Sequence, residues 1–367
     1  MYYFDNAATS FPKPRQVTEA CVKAMETAGN SGRGSHARAL TALEILYEAR
    51  QSACRLIHGE GALSIYFTQN ATMALNEAIA QIEGEIVTTA MEHNSVLRPC
   101  YARGNTVYVQ APGGVLTADA VIEAINENTR AVVMCHASNL TGEIFDIAAV
   151  GRVCRQRGIL FIVDAAQTAG CVPIDVQEMH IDMLAFSGHK GTLGPTGTGV
   201  LYVRPGCCKL HPFLRGGTGS KSYDLIHPQT GPDTLEAGTQ NIHGIAGLKA
   251  GIDYVMAAGI ENIQAHDMAL AQLFIREVSK IDGAEIYRAD CQRTGTVAVN
   301  FGDIASDGLC AALGEEGVCV RGGAHCAPLA HKALGTENRG AVRFSFGWFN
   351  TKEEVMAGVG ILRGLLA

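Results

Sequence analysis

The sequence predicts an α/β protein in which a large, mostly parallel sheet precedes a smaller α/β domain. The chain has 367 residues, which is long for a single core and favours about two domains. Up to about residue 258, short apolar runs alternate with helical patterns, which indicates parallel strands covered by helices. Beyond that point the order of elements changes. We therefore expect a large domain at 1–258, whose N-terminal arm can pack on the small domain, and a small domain at 259–367.

Composition and charge exclude several classes of protein. The formal net charge is −7 and no run of Lys or Arg occurs, so we expect no nucleic-acid or membrane-surface partner. No stretch has the roughly 20 apolar residues that span a bilayer, and no signal-peptide pattern is present. The 12 cysteines include no C-x-x-C pair. This pattern favours a reducing, cytoplasmic location and argues against both disulfides and a metal site.

Two helices are predicted near the start of the chain. Residues 15–28 and 40–57 have a helical pattern, and the polar, glycine-rich segment between them, which contains His36, is predicted to be a loop. Four apolar residues are expected on one face of the second helix: Leu40, Leu43, Leu46 and Ala49.

The large sheet is predicted from short apolar runs, most of them followed by a helical pattern. In open parallel sheets ligands bind beyond the carboxyl ends of the strands, so we expect the polar residues after these runs to meet in one crevice. The runs are 63–67, 86–89, 107–109, 131–135, 160–163, 183–186 and 200–203. The polar residues that follow them include Asn70, His93, Asn139, Asp164, Gln167 and Lys190.

The small domain is predicted from a different order of elements, which begins after a long apolar-faced helix at 242–257. Its elements are a helix at 265–281, strands at 284–287 and 297–301, a helix at 307–316, strands at 318–321 and 342–346, and a last helix from residue 351.

Lys190 is the candidate reactive residue. It follows the strand at 183–186 and stands among Ser, His, Gly and Thr, which are poor core residues but can hold an anion and a reactive amine. A lysine forms Schiff bases with aldehydes when burial and nearby cations lower its pKa. The alternative is a solvated lysine in a surface turn, and this stretch alone does not decide between the two.

The crevice has the groups that pyridoxal phosphate requires. Lys190 would bind its aldehyde, and Asp164 would keep its ring nitrogen protonated so that the ring withdraws electrons. His93 would lie flat against the ring. His93 could instead be a capping or core histidine, whereas Asp164 directly follows an apolar run and needs a partner.

The phosphate of this cofactor needs hydrogen-bond donors, which the start of the helix at 72–82 would supply. Thr72 could instead be an ordinary helix cap, and Asn139 and Gln167 could simply satisfy loop backbone groups. The predicted phosphate-binding residues are Ala71, Thr72, Ser187 and His189.

Several segments together carry a family pattern. They are Tyr3-Phe4-Asp5-Asn6-Ala7-Ala8-Thr9, Glu92-His93-Asn94, Ser138-Asn139, Val163-Asp164-Ala165-Ala166-Gln167, Ser187-Gly188-His189-Lys190, Glu236-Ala237-Gly238-Thr239 and Arg321-Gly322-Gly323-Ala324-His325-Cys326-Ala327. In these segments, and over essentially its whole length, the chain resembles the class V, fold-type I pyridoxal-phosphate enzymes of the cysteine desulfurase and selenocysteine lyase family. The resemblance implies the fold-type I transferase architecture.

The resemblance implies a role for each residue near the cofactor. Lys190 would hold the cofactor, His93 would stack on its ring and help to move protons, and Asp164 would pair with the pyridinium nitrogen. Gln167 would contact the phenolic oxygen, and Asn139 would contact both cofactor and substrate. The phosphate would be held by the residues already predicted for it.

Further residues are implied to complete the substrate site. Arg343 matches the arginine that grips the substrate carboxylate with two hydrogen bonds, although a structural ion pair is the ordinary role of a strand arginine. Arg321 and His36 are also expected beside the substrate. Thr239 is expected to reach the phosphate held by a neighbouring subunit, which makes a homodimer part of the site.

Cys326 decides the chemistry. In the desulfurases that the chain resembles, a cysteine on a small-domain loop attacks the substrate sulfur, carries it as a persulfide and leaves alanine. Arg321 and His325 are expected to favour the thiolate form of Cys326. The alternative is one more buried cysteine. The Arg-x-Gly-x-His-Cys-Ala spacing resembles the subgroup with a short cysteine loop, but Ala324 stands where those relatives often have a histidine.

The expected function is therefore desulfuration of L-cysteine, with a sulfur-acceptor protein as a possible partner. A selenocysteine lyase acting on L-selenocysteine is one alternative, and an aminotransferase, racemase or epimerase on the same scaffold is another. The glycine-rich segment 216–222 superficially suggests a phosphate loop of a nucleotide-binding protein. Ser220 precedes Lys221, so the Gly-Lys-Ser/Thr ending of that motif is absent.

Overall fold

The computed structural model describes residues 1–32 and 34–366. The strands are β1 (Tyr2–Tyr3), β2 (Ile65–Thr68), β3 (Glu85–Thr89), β4 (Thr106–Val109), β5 (Thr129–Cys135), β6 (Leu160–Asp164), β7 (Met183–Ser187), β8 (Gly199–Val203), β9 (Ala284–Ile286), β10 (Thr296–Phe301), β11 (Val318–Cys319) and β12 (Val342–Ser345). The helices are α1 (Arg15–Thr27), α2 (Ala37–Leu56), α3 (Ala71–Ala80), α4 (Asn94–Arg103), α5 (Ala118–Glu123), α6 (Ile147–Arg157), α7 (Ile242–Ala258), α8 (Ile260–Val278), α9 (Ser306–Glu315), α10 (Pro328–Leu334) and α11 (Lys352–Leu366).

The larger sheet has seven strands in the order β2-β8-β7-β6-β5-β3-β4. Strands β4, β3, β5, β6 and β7 pair in parallel, whereas β8 runs antiparallel to both β7 and β2. The prediction of a large, mostly parallel sheet is confirmed, and every apolar run proposed for it overlaps one of its strands. Because β8 alone runs in the opposite direction, the carboxyl ends of the other six strands share one edge of the sheet.

A smaller antiparallel sheet lies in the C-terminal part of the chain, in the order β12-β10-β9. Its core includes Phe274, Phe344 and Phe346. The predicted limit at residue 258 falls between α7 and α8 but stays a prediction, since no independent observation divides the chain there. The described residues include no helix of the length and hydropathy needed to cross a membrane.

The N-terminal arm joins this smaller layer. Tyr2 and Tyr3 pair in parallel with Val318 and Cys319, and the fully buried ring of Phe4 packs with the aromatic core of the small sheet. The residues that follow Phe4 therefore enter the molecule beside the C-terminal elements.

Helix α2 differs from its prediction in which residues it buries. Leu46 and Ala49 are buried, but Leu40 is 53% exposed and Leu43 is 45% exposed, as is Tyr47 at 53%. In a single copy of the chain, the first half of the helix therefore presents apolar side chains to solvent. Apolar periodicity predicts an apolar helix face but does not show whether the same chain covers that face.

Candidate active site

A cavity of about 390 Å³ opens at the carboxyl ends of the parallel strands. All but two of the predicted site residues line this cleft, so sequence reasoning located them in one place. The lining residues among them are Ala71, Thr72, His93, Asn139, Asp164, Gln167, Ser187, His189, Lys190, Arg321, Cys326 and Arg343.

Lys190 stands three residues beyond the end of β7 and lines the cleft. Burial lowers its pKa to about 8, while the charge of Asp164 opposes that shift and the charge of Arg343 adds to it. An amine with this pKa is partly neutral at physiological pH, in contrast to an ordinary lysine. Lys190 can therefore act as a nucleophile or a base there.

Asp164 ends β6 and is buried. Its Oδ1 accepts a hydrogen bond from the Ala166 N–H at 2.9 Å, and none of the described residues donates a hydrogen bond to its Oδ2. Burial raises the pKa of Asp164, and the Ala166 N–H and the charge of Lys190 oppose the rise. A buried carboxylate with an unused oxygen is suited to pair with a cationic ring nitrogen of a ligand.

His93 caps the start of α4 and turns its ring into the cleft. Its Nδ1 accepts the Ser95 N–H at 3.0 Å, so a neutral His93 carries its proton on Nε2. Burial, and then the charges of Lys190 and Arg343, lower its pKa to about 4. The ring is therefore neutral at physiological pH and can stack on another ring without adding charge.

The first turn of α3 lies on the same cleft. Thr72 Oγ1 is 2.7 Å from Ser95 Oγ, which ties this turn to the start of α4, and the Ala71 N–H donates to Ser187 Oγ at 3.3 Å. His189 Nδ1 is buried without a hydrogen-bond partner. Backbone donors at a helix start together with an unpaired ring nitrogen are what a phosphate group binds.

Arg343 lies in β12 and is buried. It donates to Asp5 Oδ1 at 3.0 Å and to the Asn139 carbonyl oxygen at 2.9 Å, while its Nε has no partner. Arg321 binds Asp5 Oδ2 at 2.8 Å from the other side. Asp5 therefore joins the two arginines of the cleft, and sequence reasoning missed this role although Asp5 stood in a matching segment.

Cys326 is the only exposed one among the 12 cysteines, all of which the structure describes. Its carbonyl oxygen accepts the Asn94 N–H at 2.7 Å, and the Asn139 side chain donates to the His325 carbonyl oxygen at 2.7 Å. Both His325 and Cys326 have left-handed backbone angles, with φ of 50° and 55°. Hydrogen bonds from Asn94 and Asn139 thus hold a turn of unfavourable geometry at the cleft.

The expectation that His325 favours the Cys326 thiolate is wrong. Burial lowers the pKa of His325 to about 3, and the charge of Arg343 adds to this shift, so the ring carries no charge at physiological pH. Its Nε2 lies 3.1 Å from the Arg321 carbonyl oxygen and its Nδ1 faces His331. Both ring nitrogens of His325 thus face groups other than Cys326.

Two predicted residues lie outside the cleft of their own chain. His36 is exposed and caps α2, where its Nδ1 accepts the Ala39 N–H at 3.3 Å. Thr239 lines a second cavity of about 510 Å³ with Leu43 and Tyr47. A single chain thus brings neither residue to the cleft, and their roles stay predictions.

Comparison with known proteins agrees with this architecture. The aminotransferase class-V family model matches residues 2–357. A probable cysteine desulfurase of Methanothermobacter thermautotrophicus is 36% identical, covering 96% of this chain and 92% of the relative. Cysteine desulfurase CsdA of Escherichia coli is 31% identical over 97% and 91%. The apo structure of a cysteine desulfurase from Thermococcus onnurineus superposes with a TM-score of 0.91 at 32% identity, covering 100% of this chain and 94% of that one.

Proposed function

The chain belongs to the aminotransferase class-V family, and within it to the cysteine desulfurases; on this basis we propose that it converts L-cysteine to L-alanine and takes the sulfur onto Cys326. The observation that carries the proposal is the placement of Lys190, Arg343 and the exposed Cys326 in one cleft. A base, a carboxylate-binding cation and a nucleophilic thiol are what this reaction requires.

We propose pyridoxal phosphate as the cofactor because the cleft has unused groups that match it. Lys190 would hold it covalently, Asp164 would pair with its ring nitrogen, His93 would cover one ring face and Gln167 would contact its phenolic oxygen. The unpaired His189 Nδ1, with Ala71, Thr72 and Ser187, would bind the phosphate. When bound, this cofactor withdraws electrons from the substrate carbon atoms.

The residues of this chain then have defined tasks. Arg343 and Asn139 bind and orient the substrate carboxylate, and Lys190 Nζ takes the proton from Cα and later returns a proton to carbon. Cys326 Sγ, as a thiolate, attacks the substrate sulfur. A sulfur–sulfur bond forms, the carbon–sulfur bond breaks, and its electron pair stays with the carbon atom, which takes up a proton. L-cysteine and a thiol thus give L-alanine and a persulfide without any external oxidant or reductant.

Alanine release tests this proposal. The protein loaded with pyridoxal phosphate is incubated with L-cysteine or L-selenocysteine in the presence of a small thiol, and alanine is quantified. Release from L-cysteine is the expected result. Release from L-selenocysteine alone would indicate a selenocysteine lyase, and release from neither would contradict both and favour transamination or epimerisation on the same cofactor.

The reaction of Lys190 with the cofactor should depend on pH in a defined way. Only the neutral amine is nucleophilic, and burial lowers the pKa of Lys190 from 10.5 to about 8. We expect the rate of covalent attachment to cofactor-free protein to rise from pH 6 and reach half of its plateau near pH 8. Absorbance during reconstitution at a series of pH values measures this rate. A rate still rising as for an ordinary lysine above pH 10 would contradict the burial of this amine.

Replacing Arg343 by alanine should weaken substrate binding. The substrate carboxylate would lose two charge-assisted hydrogen bonds. Each contributes about 1.5–3 kcal/mol, so KM for L-cysteine should rise at least about 100-fold. The substitution also leaves Asp5 with Arg321 alone, so the melting temperature is measured beside the kinetics. Arg343→Lys keeps the positive charge, so its KM for L-cysteine should rise less than that of the alanine variant. A KM unchanged in both variants would contradict the role of Arg343.

A homodimer is the proposed active form. Exposed Leu43 and Tyr47 line the cavity that Thr239 also lines, and a neighbouring copy could both cover this surface and receive Thr239 at its phosphate. The backbone just before Thr239 is held in place, because the buried Glu236 forms a 2.6 Å salt bridge with Arg50.

The mass in solution tests the dimer. Sedimentation should give twice the mass of one chain, and Leu43→Arg should shift this mass toward one chain because a buried interface cannot hold an unpaired charge. Leu63→Arg is the matched control, since Leu63 is 65% exposed and does not line that cavity. A Leu43→Arg protein that keeps the full dimer mass would contradict this surface as the interface.

Two further predictions concern the surroundings of the enzyme. The exposure of Cys326 supports transfer of its sulfur to an acceptor protein, and the absence of any disulfide among the 12 cysteines supports a reducing, cytoplasmic location. Mass spectrometry of a candidate acceptor after turnover with sulfur-35 cysteine would test the transfer.

A further inference from the structure

We propose that Thr336 and His331 are positioning residues for Cys326, because they hold the ring of His325 through a chain of hydrogen bonds with a single direction. The proposal rests on the proposed function of Cys326. It concerns how a thiol on a turn of unfavourable geometry keeps its orientation at the cleft, in a chain whose neighbouring position 324 is alanine.

The chain of contacts runs behind the turn that bears Cys326. Thr336 Oγ1 lies 2.7 Å from His331 Nδ1, His331 Nε2 lies 3.4 Å from His325 Nδ1, and His325 Nε2 lies 3.1 Å from the Arg321 carbonyl oxygen. The two rings are nearly parallel, with an interplanar angle of 10° and centroids 5.6 Å apart, so their nitrogens can meet edge to edge. All three side chains are buried, so water does not compete for these contacts.

The direction of this chain follows from its last acceptor. The Arg321 carbonyl oxygen can only accept, so His325 Nε2 donates to it. Burial keeps His325 neutral, with its pKa near 3, so His325 Nδ1 has no proton and must accept from His331 Nε2. Burial also lowers the pKa of His331, which keeps its ring neutral, so its Nδ1 has no proton and the Thr336 hydroxyl donates to it.

The hydroxyl of Thr336 has a second possible acceptor in the His331 carbonyl oxygen at 3.3 Å. Donation to that oxygen would leave His331 Nδ1 as the donor to Thr336, and the bare nitrogens of both rings would then face each other. The shorter contact to His331 Nδ1 and the neutral His325 ring therefore select one arrangement, in which each nitrogen of the pair is satisfied.

The ring of His325 matters because its backbone is strained. His325 and Cys326 both have φ in the left-handed region, where non-glycine residues are held only by surrounding contacts. The Asn139 side-chain amide donates to the His325 carbonyl oxygen and the Asn94 backbone N–H donates to that of Cys326, so both carbonyl groups of the turn are held. The buried ring anchors the turn to His331 and to the Arg321 carbonyl oxygen, so loss of these contacts would let the backbone that carries Cys326 relax.

Paired substitutions at position 336 test the proposal. Thr336→Val removes the hydroxyl at constant shape, whereas Thr336→Ser keeps it. In the loaded enzyme we expect Thr336→Val to lower kcat for L-cysteine roughly 3- to 10-fold with KM unchanged, since the carboxylate site of Arg343 is untouched. Thr336→Ser should stay close to the unaltered enzyme. If the role were merely structural, the melting temperature of both variants would change, but kcat would not fall at an unchanged KM.

A second readout does not depend on turnover. The alkylation rate of Cys326 by iodoacetamide is followed by peptide mass mapping. Because Cys326 is exposed, the reagent reaches it in every variant and the rate reports how the turn presents Sγ. We expect Thr336→Val to slow alkylation roughly 3- to 10-fold, whereas Thr336→Ser should not.

A parallel pair at position 331 checks the next contact. His331→Gln can still donate from its amide to His325 Nδ1, whereas His331→Leu cannot, so alkylation should be slowed more in the leucine variant. Equal alkylation rates and equal kcat in Thr336→Val and Thr336→Ser would overturn the positioning role. If the unaltered enzyme releases no alanine, the proposed function fails, and the alkylation rates alone still decide whether this chain of contacts governs Cys326.

Discussion

Lys190→Ala is expected to abolish covalent attachment of pyridoxal phosphate and to lower alanine release by at least about 10³-fold. Both the anchoring amine and the base that moves the Cα proton are lost, and general base catalysis alone contributes about 10²- to 10⁴-fold. Borohydride reduction followed by peptide mass mapping shows which residue carries the cofactor, and alanine release gives the residual rate.

Lys13 offers a matched control for this experiment. Burial lowers its pKa to about 8 as well, but its Nζ donates to Ser10 Oγ at 2.6 Å and to the His189 carbonyl oxygen at 2.9 Å, outside the cleft lining. Lys13→Met should therefore keep the covalent attachment at Lys190. Attachment lost in the Lys13 variant and kept in the Lys190 variant would show that a lowered pKa had indicated the wrong amine.

Cys326→Ala should lower L-cysteine desulfuration by on the order of 10³-fold or more, because no thiolate remains to accept the sulfur. Release of alanine from L-selenocysteine should fall much less, since a selenolate leaves carbon more readily than a thiolate. The absorbance of the bound cofactor on addition of L-cysteine should still change, because Arg343 and Lys190 are intact. Alanine release from both substrates, before and after the substitution, measures these effects.

Cys319 provides the control for the Cys326→Ala experiment. Cys319→Ala removes a partly buried cysteine from β11 and should leave alanine release from L-cysteine within about twofold, as surface-near substitutions usually do. Retention of L-cysteine desulfuration in Cys326→Ala would show that sulfur leaves without a protein persulfide, and the desulfurase mechanism on Cys326 would then be abandoned.

The main features of the site could be predicted because they depend on strand ends. An acid such as Asp164 directly after an apolar run must sit at a carboxyl end of a buried strand, and parallel strands bring those ends together. Lys190, His93 and Asn139 were located by the same reasoning. Family resemblance added Arg343 and Cys326, whose elements come from the other end of the chain and have no such local signal.

Other features depend on contacts that periodicity does not report. Asp5 joins Arg321 and Arg343 across more than 300 residues of chain, so nothing near it in sequence indicates its partners. The charge state of His325 depends on burial behind the cysteine turn, which spacing alone could not show. The sequence of α2 has the pattern of an ordinary amphipathic helix, and this pattern does not show that part of its apolar face stays exposed in a single chain.

The pairing of β1 with β11 has a consequence for synthesis of the protein. The arm is synthesised well before its partners, because the strand it joins begins at Val318 and one arginine that Asp5 binds is Arg343, both more than 300 residues later in the chain. A nascent chain therefore cannot join Asp5 to Arg343 until synthesis has passed Arg343. The arm has to stay unpaired through that interval, and incomplete chains released early would hold the reactive lysine without the means to select a substrate.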